Sequence, residues 1–165
     1  MLIVGVDPGS RVTGYGVIQT SGNRITVKDY GTITVTPQMT MPQRLERMYL
    51  GLLEVLERNK PDEAAIEEVF YSKNFKSALV LGQARGVALL AFQKFNLPVY
   101  EYSTRTTNQG IVGYGAASKE QVQFMIKKLF PVVKDDIAED AADALAIAIS
   151  HLHVVQFKRR IQVQV

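Results

Sequence analysis

The chain has 165 residues, 47% of them hydrophobic and 21% charged, a balance typical of one globular domain with a buried core. Zero cysteines exclude disulfides and thiolate metal sites, and the lack of a secretory leader or of an apolar run near ~20 residues leads us to expect a cytoplasmic protein with no membrane partner. The net charge of +3 weakly indicates a polyanionic partner.

The first third of the chain predicts three strands joined by tight turns. Residues 2–6 form a short apolar run suited to a buried strand, residues 14–18 begin a second strand, and residues 25–35 are rich in β-branched side chains. Gly22-Asn23 fits the turn of a hairpin between the second and third strands. We therefore expect an antiparallel meander.

After Pro37 the apolar residues recur at helical spacing, in a segment that ends before Pro61. Strands follow at residues 63–69 and 99–102, and the remaining predicted helices are residues 77–95, 118–129 and 138–154. Ser118 and Gln121 predict a capping box at the start of the third helix.

This order predicts an α/β fold built on a mixed five-stranded sheet, in which an antiparallel meander is followed by parallel strands and helices cover both faces. We place the domain at residues 1–156 and expect residues 157–165 to form a short basic C-terminal tail. Such a tail could contact a DNA backbone, but we interpret it as a solubilising end.

Carboxylates stand at the points where such a fold places its sites. Asp7 follows the first apolar strand and Glu67 follows the apolar centre of the fourth, and open α/β sheets bind ligands at the carboxyl ends of strands. Asp140 and Asp143 are three residues apart, so a helix presents both on one face. Plainer explanations exist as well, because Asp-Pro-Gly is a common turn and acids are favourable near a helix N-terminus.

Taken together, the two strand-end acids and the two helical acids predict a site for hard divalent cations. Like charges gathered in one place repel unless cations neutralise them, and carboxylate oxygens suit Mg²⁺, with Mn²⁺ as a substitute. Two such ions about 3.5–4 Å apart form the clamp that supports in-line attack of water on a phosphodiester. We interpret His151 and His153, late in the last helix, as structural residues and not as metal ligands.

Five segments of the sequence, in order, match one known pattern. They are residues 6–17 (VDPGSRVTGYGV), residues 65–70 (AIEEVF) with Lys73-Asn74, residues 78–79 with 81–88 (LGQARGVA), residues 113–123 and residues 140–148 (DAADALAIA). These segments resemble the RuvC Holliday-junction resolvases, and the similarity runs over about residues 1–153, nearly the whole chain.

The resemblance implies an RNase H-like fold and a homodimer that binds four-way DNA junctions. It implies paired symmetric nicks that depend on Mg²⁺, with two ions per active site, made in step with a RuvAB-type branch-migration complex. By matching positions, the metal-binding catalytic acids would be Asp7, Glu67, Asp140 and Asp143, and Glu68 falls outside the set. Two symmetric cuts are consistent with two sites related by a two-fold axis.

Roles in DNA binding follow from the same resemblance. Lys119 would lie near the scissile phosphate and stabilise charge there, although it could equally be a surface lysine, and Phe70 would stack on an unpaired base. Asn108 departs from the pattern, because RuvC proteins usually carry a lysine at this position. An amide can bind a phosphate but brings no positive charge, so that role would pass to Arg105 or Lys119, or catalysis would be weakened.

Three other functions are compatible with parts of the sequence. A YqgF-like nuclease of the same superfamily would act on RNA, and a junction-binding protein with weakened catalysis would follow from Asn108. The turn at Asp7-Pro8-Gly9 also resembles the phosphate-binding turn of the actin, Hsp70 and sugar-kinase group, which needs two such domains where this chain has room for one.

Overall fold

The fold was determined from a computed structural model, which describes residues 1–22, 24–68, 75–134 and 136–162. Its elements in chain order are β1 (Leu2–Asp7), β2 (Val12–Ser21), β3 (Arg24–Thr34), α1 (Met41–Asn59), β4 (Glu63–Glu67), α2 (Phe75–Lys94), β5 (Val99–Tyr102), α3 (Thr104–Val112), α4 (Lys119–Leu129) and α5 (Glu139–Gln162).

The strands form one five-stranded sheet in the order β3-β2-β1-β4-β5. β1, β2 and β3 pair antiparallel, whereas β4 pairs parallel with both β1 and β5. The predicted mixed sheet, with a meander followed by parallel strands, is therefore confirmed. β1 is the middle strand of the sheet, so Asp7, which ends β1, lies near the middle of the sheet edge at which the parallel strands β1, β4 and β5 end.

Helices cover both faces of the sheet, as predicted. Because successive side chains of a strand point to opposite faces, Val4 and Val6 join the core with α1 and α2, whereas Ile3 joins the core with α3, α4 and α5. The second of these cores is built around α5, in which Leu145 and Ile149 are fully or almost fully buried.

Two helices differ from the prediction. The sequence analysis assigned no helix to the segment that forms α3, because its β-branched residues and glycine have low helix propensity. Ser103 caps this helix by accepting a hydrogen bond from the backbone of Thr106, and burial of Ile111 against the α5 side offsets the poor propensity. α5 continues to Gln162 instead of ending near residue 154, so residues 157–162 extend the last helix.

Among the described residues, α2 is the one helix long and apolar enough to cross a membrane by length and composition alone. Its Ala84, Ala88 and Phe92 are buried in the core that it shares with α1 and the sheet. Its Arg85 forms an ion pair with Glu101 of β5. These contacts make α2 a packed element of the domain.

Candidate active site

The register of the parallel strands brings Asp7 and Glu67 to neighbouring positions. Val6 of β1 is aligned with Ile66 of β4, and each acid is the next residue of its strand. Both acids point to the face that α5 covers, since they share the parity of Gly5 and Ala65, which are also aligned. The two strand-end acids predicted from sequence are therefore side by side, at the carboxyl ends of two adjacent strands.

A glycine opposite Asp7 lets α5 approach the same place. Gly14 pairs with Asp7 in the β1–β2 ladder, and a Cβ added to Gly14 would lie 1.9 Å from the carbonyl oxygen of Asp140. A Cβ on Gly5 would likewise lie 2.1 Å from the carbonyl oxygen of Ala144, one turn further along α5. The first turn of α5 thus rests directly on the sheet, with its acidic residues beside Asp7.

The charges of the other three acids all act on Asp7. Burial is the main cause that raises the pKa of Asp7 to about 7, and the charges of Glu67, Asp143 and Asp140 raise it further, in that order. Lys119 opposes the shift. Burial also raises the pKa of Asp143, against the influence of Lys119. A carboxyl in this field has a strong tendency to bind a proton or another cation.

Lys119 is the cation that the structure places at these acids. Its Nζ lies 3.3 Å from Oδ2 of Asp143 and also binds Glu139, and the hydrogen bond with Glu139 raises the pKa of the lysine. Lys119 is the first residue of α4 and lies between Ser118 and Gln121, which form the capping box that the sequence predicted. Its side chain remains 63% exposed, so the ammonium can also reach an anion in solution.

Glu67 has two partners that the sequence analysis missed. Its Oε1 accepts a hydrogen bond of 2.5 Å from the hydroxyl of Thr104, at the start of α3, and its carbonyl oxygen accepts one of 2.6 Å from the Arg85 guanidinium. Neighbouring Glu68 is exposed, and its backbone N–H donates to Tyr102. Thr104 belongs to the segment 103–107, whose hydroxyl residues and arginine were the available signal.

Besides Lys119, the structure describes two of the predicted DNA-binding residues, Arg105 and Asn108. Arg105 is exposed on α3, directly after Thr104. The amide of Asn108 donates to the carbonyl oxygens of Ala117 and Gly115, at 3.0 and 3.4 Å, so Asn108 holds the loop that leads to Lys119. Phe70 lies outside the described residues, as does the rest of the segment 69–74.

His151 of α5 belongs to a buried network with side chains of β4 and β5. Its Nδ1 is 2.7 Å from the hydroxyl of Tyr102, its Nε2 is 2.7 Å from Glu63, and its ring stacks on Tyr100. Burial lowers the pKa of His151. The second histidine, His153, lies 3.1 Å from the carbonyl oxygen of Gly110. Both rings hold α5 to neighbouring elements, which agrees with the structural role expected for them.

The donor set at the edge of the sheet suits a hard divalent cation. Asp7, Glu67, Asp140 and Asp143 offer carboxylate oxygens only, and the buried Asp7 lies in the field of the other three. Within the described part of the chain, no three acidic or histidine side chains are close enough to hold an ion without moving. Lys119 contacts an oxygen of Asp143, and Thr104 donates a hydrogen bond to an oxygen of Glu67. The chemistry of the residues therefore fits a divalent cation.

Comparisons with a family model and with known proteins match nearly the whole chain. A family model described as "Crossover junction endodeoxyribonuclease RuvC" matches residues 3–151, which include all four acids. The chain belongs to the RuvC family. A crossover junction endodeoxyribonuclease RuvC from Geotalea uraniireducens is 51% identical over 152 residues, which cover 92% of this chain and 88% of the relative. The RuvC of Pelotomaculum thermopropionicum is 41% identical over 99% of this chain and 100% of its own length.

A solved RuvC structure matches the whole fold. The structure described as T. thermophilus RuvC in complex with Holliday junction substrate has a TM-score of 0.88 and 31% identity, and the match covers 96% of each chain. The RNase H-like fold implied by the sequence is therefore confirmed for this member of the RuvC family.

Proposed function

We propose that this RuvC-family chain is a structure-selective DNA endonuclease that resolves four-way junctions by paired nicks. One observation supports the proposal above all: strand register puts Asp7 beside Glu67, α5 packs closely on the sheet at Asp140, and the charges of Glu67, Asp140 and Asp143 all act on Asp7. The names of its relatives, and the junction-bound T. thermophilus structure, support the choice of substrate.

The chemistry assigned to this site is phosphodiester hydrolysis. Divalent ions held by the four carboxylates, which we propose to be two Mg²⁺ with Mn²⁺ as a substitute, would supply activated water and stabilisation of the leaving oxygen. Thr104 orients Glu67 through the hydrogen bond to Oε1. Lys119 is exposed and adjacent to Asp143, so its ammonium can bind a phosphate oxygen of the strand in the site. Arg105, exposed next to Thr104, adds a second cation for the DNA backbone.

We propose further that the active form is a homodimer joined through α2. Phe75, Leu79 and Leu90 expose 74%, 54% and 59% of their surface along one side of this helix. Gly82 and Gly86 lie on the same side, and an added Cβ at either position would meet nothing within 4 Å. We call these five residues the α2 stripe.

Glycine inside a helix costs about 1 kcal/mol relative to alanine, and the described part of the chain contains no packing reason for either glycine of the stripe. Close approach of a second helix is such a reason, because the missing side chains let two backbones come together. A two-fold related copy of α2 would bury the stripe and supply two sites for two opposed cuts. Assembly with a RuvAB-type branch-migration complex and a cytoplasmic location belong to the same proposal.

The deciding experiment compares four-way junction, linear duplex and structured RNA of matched length, each incubated with the protein with and without Mg²⁺. We expect paired nicks in the junction alone, and only with the metal. The matched control is Asp7→Asn, which should bind the junction as the wild type does but leave it uncut, since backbone contacts depend on Lys and Arg. Cleavage of the RNA instead of the junction, or junction binding without nicks in Mg²⁺ and in Mn²⁺, would contradict the proposal.

A further inference from the structure

Arg85 joins α2 to the strand end that carries Glu67. One guanidinium nitrogen, Nη1, donates a hydrogen bond of 2.6 Å to the carbonyl oxygen of Glu67. The other, Nη2, lies 2.5 Å from a carboxylate oxygen of Glu101 on the neighbouring strand β5. The Arg85 side chain is only 12% exposed, so these contacts are largely protected from solvent. A single side chain of α2 therefore fixes the ends of two adjacent parallel strands.

The contacts reach the sheet from the face opposite the acids. Glu101 is aligned with Ile66, which packs into the core shared with α1 and α2, whereas Glu67 has the opposite parity and points to the α5 face. Arg85 therefore acts on the Glu67 backbone and not on its carboxylate. The carboxylate is oriented from the other side, by the hydroxyl of Thr104.

We infer that Arg85 is a positioning residue of the nuclease site, which sets the orientation of the Glu67 peptide so that its carboxylate faces Asp7. This inference rests on the proposed function. A peptide unit at the end of a strand has lost its ladder partners on one side, so an added donor to its carbonyl oxygen restricts rotation of that unit. The planar guanidinium fork suits the task because it serves a carbonyl and a carboxylate at once in a fixed geometry.

The inference also connects the site to the proposed dimer. Gly82 and Gly86 of the α2 stripe lie within one turn of Arg85 on the same helix. A second copy of α2 packed on the stripe would therefore restrict the position of the helix that carries Arg85, the donor to the Glu67 carbonyl oxygen. Subunit association and the geometry of the catalytic acids are then coupled through one side chain.

The test compares Arg85→Met, Arg85→Lys and Glu101→Gln with the wild type. We expect Arg85→Met to bind the junction normally, to cleave it roughly 10–100-fold more slowly, and to need more Mg²⁺, as is usual when a residue that orients a metal ligand is lost. Glu101→Gln removes the ion pair but retains the bond from Arg85 to Glu67, so its cleavage rate and Mg²⁺ requirement should stay close to those of the wild type. The independent readout is the rise in Tm caused by Mg²⁺ without DNA, which Arg85→Met should reduce.

The outcomes separate this inference from the function on which it rests. A wild-type protein that fails to cut the junction contradicts the proposed function, whatever the variants do. A wild type that cuts, together with an Arg85→Met variant of unchanged rate and unchanged Mg²⁺ response, overturns the role of Arg85. If Arg85→Met does not fold, Arg85→Lys decides: its Mg²⁺ requirement must exceed that of Glu101→Gln, and equal requirements overturn the inference.

Discussion

The pKa of Asp7 follows from its position in the fold. This residue ends the central strand β1, it is largely buried, and the charges of three other carboxylates act on it. Its raised pKa means that the metal-free folded chain prefers the protonated form at pH values where the unfolded chain is ionised. The site therefore costs stability so long as no cation is bound, a common feature of residues arranged for function.

The first prediction concerns the stability of Asp7→Asn in EDTA. The folded pKa of about 7 exceeds the ordinary value of 3.8, so the wild type should lose stability as the pH rises from 4 to 7, by an amount on the order of 2–4 kcal/mol. The amide cannot ionise, so the variant should match the wild type near pH 4 and exceed it at pH 8. Thermal unfolding followed by circular dichroism across this range measures the difference. Exposed Asp136→Asn is the control, and an equal gain there would refute the explanation by burial.

At the residue scale, the sequence predicted the positions of the acids in the fold but not the contacts of Glu67 with Thr104 and Arg85. Asp7, Glu67, Asp140 and Asp143 could be predicted because each is placed by a local pattern, a strand end or a helical spacing. Thr104 contacts Glu67 across 37 residues of chain and Arg85 contacts it across 18, and no periodicity indicates such pairs. They depend on how α2 and α3 settle against the sheet, which is a tertiary property.

At the scale of elements, the approach of α5 to the sheet decides whether the site exists. Gly5, Gly14 and Gly16 share one face of β1 and β2, and an added Cβ at each would meet α5 at distances of 2.1, 1.9 and 2.7 Å. Glycines in a strand mark close approach of another backbone, which is a signal the sequence carried and the strand prediction did not use. The parallel direction of β1, β4 and β5 was predictable from the long connections between them, whereas their order in the sheet was not predicted. The helix α3 was not, since its stability comes from packing.

The second prediction is that Gly14→Ala lowers the cleavage rate more than its loss of stability can explain. The new methyl group meets backbone atoms of Asp140, which cannot rotate away, so α5 must shift and the free energy of unfolding should fall by about 1–3 kcal/mol. Cleavage should fall further than this loss explains, because Asp140 moves away from Asp7, while junction binding is retained. Single-turnover cleavage at a temperature where the variant is fully folded measures the effect.

Gly31→Ala is the matched control for this experiment, because its added methyl group meets only the outer end of the Tyr15 side chain. It should retain nearly the full cleavage rate. A Gly14→Ala variant that cuts as fast as Gly31→Ala would show that the contact between α5 and β2 does not place Asp140.

At the scale of the whole molecule, the two faces of the sheet have different tasks. The α3, α4 and α5 face carries the acids, Lys119 and the buried His151 network. The α1 and α2 face carries the α2 stripe, whose apolar side chains are more than half exposed and whose glycines face open space. An enzyme that cuts two opposed strands needs two sites facing different strands. Association through the α2 stripe would leave both active faces open to DNA, because the stripe and the acids are on opposite sides of the sheet.

The last prediction tests this arrangement with Gly86→Leu. Residue 86 faces open space, so the leucine should leave the isolated fold at least as stable, because glycine is the poorer helix former by about 1 kcal/mol. A bulky side chain in the centre of the stripe should nevertheless separate the two helices and shift the protein toward the 18.4 kDa monomer in sedimentation velocity. Glu57→Leu adds the same side chain to an exposed position of α1 and should remain dimeric.

Paired nicks should give way to single, uncoordinated ones in Gly86→Leu alone. A wild type that sediments as a monomer at all concentrations would contradict the dimer itself, whereas a dimeric Gly86→Leu would place the interface on another surface.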